Sequence, residues 1–231
     1  MVFEKVNSKV VSVDVARAGG VVARKGAMLF YQGDLQFSPH QVPGLGQGGG
    51  GGGLIRMATR MMQGEHEATM LAQGHGAVHY GLAGLEVHPI EVVPGAVLTI
   101  EMSRLLAHTA GLGSSVVSVN SSGGGGGGGL GGLLRGAAQG MSSGTGFFTT
   151  QLQGHGAAVL LGHGGVFEVT VGNHPVVVDP QAFVGTYGNV TTRLSAAIGW
   201  RDAVGRGSGE AMQLQCAGQG VVFVQASEEK L

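Results

Sequence analysis

Two short segments occur twice in this chain at almost one spacing. Gly53-Leu54-Ile55-Arg56 returns as Gly132-Leu133-Leu134-Arg135, 79 positions on (132 − 53), and Gln73-Gly74-His75-Gly76-Ala77 returns as Gln153-Gly154-His155-Gly156-Ala157, 80 positions on (153 − 73). Separate matches at nearly one period argue for a duplicated unit rather than chance. Weaker echoes follow at Gly218-Gln219-Gly220-Val221-Val222 and at Lys25-Gly26-Ala27-Met28-Leu29. Glycine ahead of an apolar run marks a bulge or a close approach of two backbones as a buried strand begins.

The segments between the repeats carry a strand pattern. Lys9 to Val15, Val97 to Ile100, Val116 to Val119, Val166 to Val171, Val176 to Val178 and Val221 to Val224 are short, β-branched runs. Such runs read as strands when turn signals bound them. Pro94-Gly95 suits a type II turn, and Gly172-Asn173-His174-Pro175 is a second break. Helical periodicity is weak, the best candidates being Leu54 to Met62 and Leu194 to Ala203. The pattern predicts an all-β chain in two tightly packed units, residues 1–108 and 109–231, the second carrying closing strands. An internally duplicated β-sandwich or double-stranded β-helix is the natural packing.

Charged residues are only 12% of the 231, about half the usual share, while hydrophobic ones make up 43%. A surface this neutral favours self-association. Lysine plus arginine (13) nearly balances aspartate plus glutamate (14), which leaves a net charge of -1 and little attraction for phosphate backbones. Nucleic acid is not an expected partner. The single cysteine, Cys216, can form neither an intrachain disulfide nor a cysteine zinc cluster, and suits a reducing compartment. Met1-Val2-Phe3-Glu4-Lys5 lacks the basic-then-apolar order of a secretory leader, so the cytoplasm is the expected location. The longest uncharged run, Thr109 to Leu134, is serine- and glycine-rich and predicts no bilayer span, leaving peripheral membrane contact open.

Glycine, at 47 residues, includes two pure tracts, Gly48 to Gly53 and Gly123 to Gly129. They read as flexible loops, since a run without side chains has the most entropy to lose and nothing to bury. The Gly44-Leu45-Gly46-Gln47-Gly48-Gly49 match to a dinucleotide fingerprint lacks the strand, helix and acidic residue that would make it one.

Few residues offer chemistry. The repeat puts His75 and His155 at equivalent positions, where they are candidate ligands for a cofactor or small molecule; two histidines alone make a poor zinc site. His79, His88, His108, His163 and His174 show neither His-x-His nor Glu-x-x-His spacing, and the third echo replaces the histidine with Gln219. The cupin metal pattern is absent around Gly64-Glu65-His66-Glu67, and a zincin motif starting at His66-Glu67 fails because Met70 stands at the second histidine. Gly140-Met141-Ser142-Ser143-Gly144 matches a nucleophile elbow, but the following Phe147 to Leu152 reads as a strand where a hydrolase needs a helix. Glu65 and Glu67 read as a solvated edge, and Trp200 with Arg201-Asp202 to Arg206 as a stretch that could touch a partner. No catalytic residue, metal or cofactor is expected.

Val22-Ala23-Arg24-Lys25-Gly26-Ala27-Met28-Leu29-Phe30-Tyr31-Gln32-Gly33 and Gly209-Glu210-Ala211-Met212-Gln213-Leu214, running into Gly218 to Gln225, carry a resemblance, with Val178-Asp179-Pro180-Gln181-Ala182-Phe183-Val184 between them. In these segments the chain resembles the bacterial branch of the "altered inheritance of mitochondria 24" family over residues 20 to 227. The resemblance implies a β fold like that of the trp RNA-binding attenuation protein, internally duplicated and often self-assembling, and implies no activity. The expectation is a non-enzymatic β protein acting as a self-assembling scaffold or binding module. A small-ligand or metal-dependent enzyme using a β-barrel cavity is the alternative, and RNA binding the weakest reading.

Overall fold

The computed structural model describes residues 1–40, 69–118, 148–196 and 212–228. The Gly48 to Gly53 and Gly123 to Gly129 tracts, Gly53 to Arg56 with its counterpart Gly132 to Arg135, and the helix expected over Leu54 to Met62 lie outside them.

The elements in chain order are β1 (Phe3–Asn7), β2 (Val10–Asp14), α1 (Val15–Ala18), β3 (Val21–Arg24), β4 (Met28–His40), β5 (Thr69–Tyr80), β6 (Glu86–Val92), β7 (Val97–Glu101) and β8 (Leu105–Thr109). They continue as β9 (Gly113–Ser118), β10 (Phe148–Gln153), β11 (Gly156–Gly162), β12 (Val166–Val171), β13 (Val176–Val178), β14 (Phe183–Ala196) and β15 (Met212–Gln225). The protein is all-β, in two antiparallel sheets. The first runs β1-β2-β5-β3-β8-β11-β6 with β4 on β5, and the second runs β12-β15-β14-β7-β10-β9 with β13 on β15. The first sheet curls almost into a barrel, and Val87 N–H reaches the turn after β1 by donating to the Ser8 carbonyl at 2.8 Å.

Two local expectations are corrected. Val15 ends no strand: the Asp14 side chain accepts from Arg17 N–H at 3.0 Å and caps the one-turn helix α1, which Gly19 closes in the left-handed region. Leu194 begins no helix, because β14 continues through Ala196, each residue paired to β15. The Pro94-Gly95 turn forms as expected, with Gly95 at φ 87° and Ala96 N–H donating to the Val93 carbonyl.

One pairing scheme occurs three times. A long return strand (β5; β10 continued by β11; β15) pairs with an outgoing strand (β4; β8 continued by β9; β14). On its other side, the return strand's earlier half takes one short strand (β3, β7, β13) and its later half another (β2, β6, β12). Each outgoing strand opens with the same one-residue bulge, at Leu29, Leu106 and Val184. The middle occurrence is broken between Thr109 and Gly113 and between Gln153 and Gly156. Its halves part there, β8 and β11 into the first sheet and β9 and β10 into the second, so this occurrence stitches the sheets together. The unit boundary expected at 108/109 falls inside β8.

Glycines sit where the long strands cross most closely. A Cβ on Gly76 would stand 2.2 Å from the Gln32 carbonyl oxygen, and one on Gly220 2.1 Å from that of Tyr187, so no side chain fits either place.

Three apolar clusters fill the fold. One lies within the first sheet (Phe3, Val13, Val78, Leu106), one between the sheets (Leu98, Ile100, Leu152, Phe223) and one in the second sheet (Val171, Phe183, Leu214, Val222). β11 serves two of them: Ala157, Val159 and Leu161 point into the first, Ala158 and Leu160 into the second. A strand buried on both faces needs an unbroken apolar run, which is the sequence between Gly156 and Gly162.

Candidate functional site

His75 lies in the middle of β5, opposite Asp34 of β4, with an exposed side chain. His155 lies at the break between β10 and β11, also exposed. The glycines before them share a left-handed conformation, φ 116° at Gly74 and 118° at Gly154, but a Cβ on Gly74 would stand 2.4 Å from the Asp34 carbonyl oxygen, whereas one on Gly154 would meet Gly111 and Leu112 at an ordinary 3.7 Å. Nothing in the described contacts brings the two imidazoles into one pocket. Among the described residues, no three His, Cys, Asp or Glu side chains gather at metal-binding distance. The nucleophile-elbow match at Gly140 to Gly144, the fingerprint match at Gly44 to Gly49, Glu65 to Glu67 and the Trp200 to Arg206 stretch lie outside the described residues.

Buried polar side chains include His108, which the sequence marked only as lacking a ligand spacing, and Arg104, which no motif marked. His108, on β8, is buried where the sheets divide; its Nδ1–H donates to the Thr109 carbonyl at 2.9 Å, and burial pushes its proton affinity down. Thr109 Oγ1 in turn accepts from Ala157 N–H at 3.1 Å, in the space a side chain on residue 156 would need. Arg104 is buried with its Nε 3.9 Å from Glu101 Oε2, and nearby Arg24 donates to the Ser103 carbonyl at 2.7 Å. Burial lowers the Arg104 proton affinity and Glu101 opposes it, as in a structural ion pair inside a turn. Burial pushes the Cys216 thiol up to about 12, which leaves it protonated and unreactive.

The feature with the means to bind something is an edge. Among the described residues β4 pairs with β5 alone, and its first residues, Met28, Leu29, Phe30 and Tyr31, are all exposed large apolar side chains. Phe30 stacks on His79 with ring centroids 4.1 Å apart at 15°, and Tyr31 packs on Phe37 at 5.1 Å, so both rings are held in place on the surface. Among the same residues β13 pairs with β15 alone and exposes Val177. Each strand offers unpaired backbone donors and acceptors beside apolar side chains, the requirements for adding a strand. The four-residue apolar run at Met28 to Tyr31 was visible in the sequence, but its exposure depends on which strand lies beside it.

No helix among the described residues is long and apolar enough to cross a membrane. The fold and its edges define a class: an all-β protein of two packed antiparallel sheets with open strand edges. The family model described as "Mitochondrial biogenesis AIM24" matches residues 2–227, and the chain belongs to that family. A crystal structure of a Streptococcus pyogenes protein is similar in fold, with a TM-score of 0.65 at 16% identity, covering 97% of this chain and 92% of that one. No curated protein matches the sequence at a significant level.

Proposed function

We propose that this chain is a non-enzymatic β protein that associates with itself and serves as a scaffold or binding module, and that it is built of three copies of one unit, ending near residues 80, 162 and 225. The observation that carries the reading is the row Met28-Leu29-Phe30-Tyr31. Four consecutive large apolar side chains stand exposed on a strand that, among the described residues, is paired on one side only, in a chain with few charges to keep such an edge solvated. Soluble monomers blunt their edges with charge, proline or a covering loop, and a long apolar edge left open is a template for another chain. The low charge density supports the same reading, because little electrostatic repulsion opposes association. A reducing, cytoplasmic setting suits the single buried thiol.

Light scattering coupled to size-exclusion chromatography tests this. The expected result is a mass that is a multiple of 23.2 kDa at micromolar concentration. A strictly monomeric species would refute it.

A further inference from the structure

The two junctions between successive occurrences of the pairing scheme are built alike. At the first, β3 lies antiparallel to β8 with Val21 opposite Thr109, Val22 opposite His108 and Ala23 opposite Ala107. At the second, β7 lies antiparallel to β14 with Leu98 opposite Tyr187, Thr99 opposite Thr186 and Ile100 opposite Gly185. In both, a short strand that pairs on one side with the early return strand offers its other side to the start of the next outgoing strand. The bulges fix the equivalence of the outgoing strands: Ala107 and Gly185 each directly follow the bulged residue, as Phe30 follows Leu29. Pairing with the return strands fixes that of the short ones. Val21 faces Ala72, Leu98 faces Leu152 and Val176 faces Cys216, and each of those partners stands two residues before the first glycine of a Gly-x-Gly.

A third junction of the same design has both its halves, but they are not paired with each other. Among the described residues, β13, the third short strand, has no partner beyond β15, and β4, the first outgoing strand, has none but β5. Burial differs at the positions that face outward. Leu106 and Val184 are fully buried at the bulge, whereas Leu29 is 53% exposed; Val22 is 1% exposed, whereas its counterpart Val177 is 55% exposed. The stretches that would meet, Phe30 to Gln32 and Val176 to Val178, carry no charge, and the bulge at Leu29 is no obstacle, since both completed junctions contain it.

We infer that a second copy of this chain completes the junction: β13 of one copy pairs antiparallel with β4 of the next, with Val176 opposite Gln32, Val177 opposite Tyr31 and Val178 opposite Phe30. The contact is head-to-tail. Each copy has one of each edge, so the copies join into a closed ring, of two or more, or into an open chain. This inference rests on the self-association proposed above and specifies how it occurs.

Tyr31→Lys and Val177→Lys each place a charge on one edge at an exposed position, which leaves folding intact and spoils one half of the junction. Each variant alone should elute as a single chain. Mixed in equal amounts they should form a complex of two chains, because the first retains a good β13 and the second a good β4. Cysteines at the same positions give a second readout: Tyr31→Cys and Val177→Cys chains should cross-link to each other under mild oxidation, and neither to itself. Several results would overturn the inference. If the wild type is monomeric, the junction and the self-association proposal fail together. Oligomers that survive both lysine variants, or fail to re-form on mixing, would leave self-association standing and remove this junction. Self-cross-linking of Tyr31→Cys would replace it with a symmetric β4–β4 contact. A disulfide within one chain carrying both cysteines would mean that the edges close on each other in cis.

Discussion

A glycine in this fold has a consequence only where two backbones touch. Gly220 sits at φ 155° with the Tyr187 carbonyl and the Val190 side chain in the space a methyl would occupy, whereas a methyl on Gly172 meets nothing within 4 Å. Gly220→Ala is therefore expected to destabilise by at least about 1–3 kcal/mol, the usual cost of forced backbone strain. Gly172→Ala should stay within about 0.5 kcal/mol of wild type, as for an unconstrained surface position. Urea midpoints of the two variants check the contrast, and equal losses would mean that the close strand crossing is wrongly placed. His108 gives a pH signature. Burial holds its folded-state proton affinity below the ordinary 6.5, so as pH falls below that value the unfolded chain takes up a proton that the folded one refuses. Stability contributed by the neutral imidazole is thus full above the unfolded value and is lost as pH falls through the folded one. Thermal melts should show a decline beginning near pH 6.5 that His108→Gln reduces; an unchanged acid limb would assign the decline to other groups.

At the scale of strands, equivalent positions are the sharpest probes, because the same register slot is buried in one occurrence and bare in another. Leu106→Ala removes a fully buried side chain from the bulge of β8 and should cost about 2–5 kcal/mol, as core leucine truncations do. Leu29→Ala changes the same slot of β4, where the side chain is half exposed, and should cost under about 1 kcal/mol when measured in the monomeric Val177→Lys background. Chemical denaturation of the pair measures both; a large loss at Leu29 in that background would mean β4 is covered within the chain. Much of this layer was legible in the residues. The β-branched runs at Val97, Val166 and Val221 became β7, β12 and part of β15, and Gly-x-Gly marked close crossings at Gly76 and Gly220. The long strands were not legible. β4 mixes Met28-Leu29-Phe30-Tyr31 with Gln32-Gly33-Asp34, and β14 contains two glycines, so neither shows period-2 alternation; their partners along the hairpin, not their own propensity, hold them extended. His75 and His155 stood out through repetition alone, yet they share a sequence motif without sharing surroundings. The open edges were invisible for a related reason, since exposure of a strand edge is a property of topology.

For the whole molecule, the decisive quantity is its low charge, with only 12% of residues charged. Among the described residues, ion pairs join the Met1 N-terminus to Glu91 at 3.6 Å and Glu101 to Arg104 at 3.9 Å, the first exposed on both sides, and His88 lies within hydrogen-bond distance of Glu168 at 3.0 Å. Exposed pairs contribute about 0–1 kcal/mol each and weaken with salt. What remains is apolar burial in three clusters and the backbone ladder, neither of which responds to charge screening. A tenfold rise in sodium chloride should therefore shift the melting temperature by less than about 3 °C, because screening has little to act on. Sulfate at matched ionic strength should raise it further, since exclusion from the surface strengthens effective burial. The same two salts separate ways of assembling: copies joined through apolar edges should stay associated in sodium chloride and associate more in sulfate. Dissociation by sodium chloride alone would show that charged residues, not the β4 and β13 edges, hold the copies together.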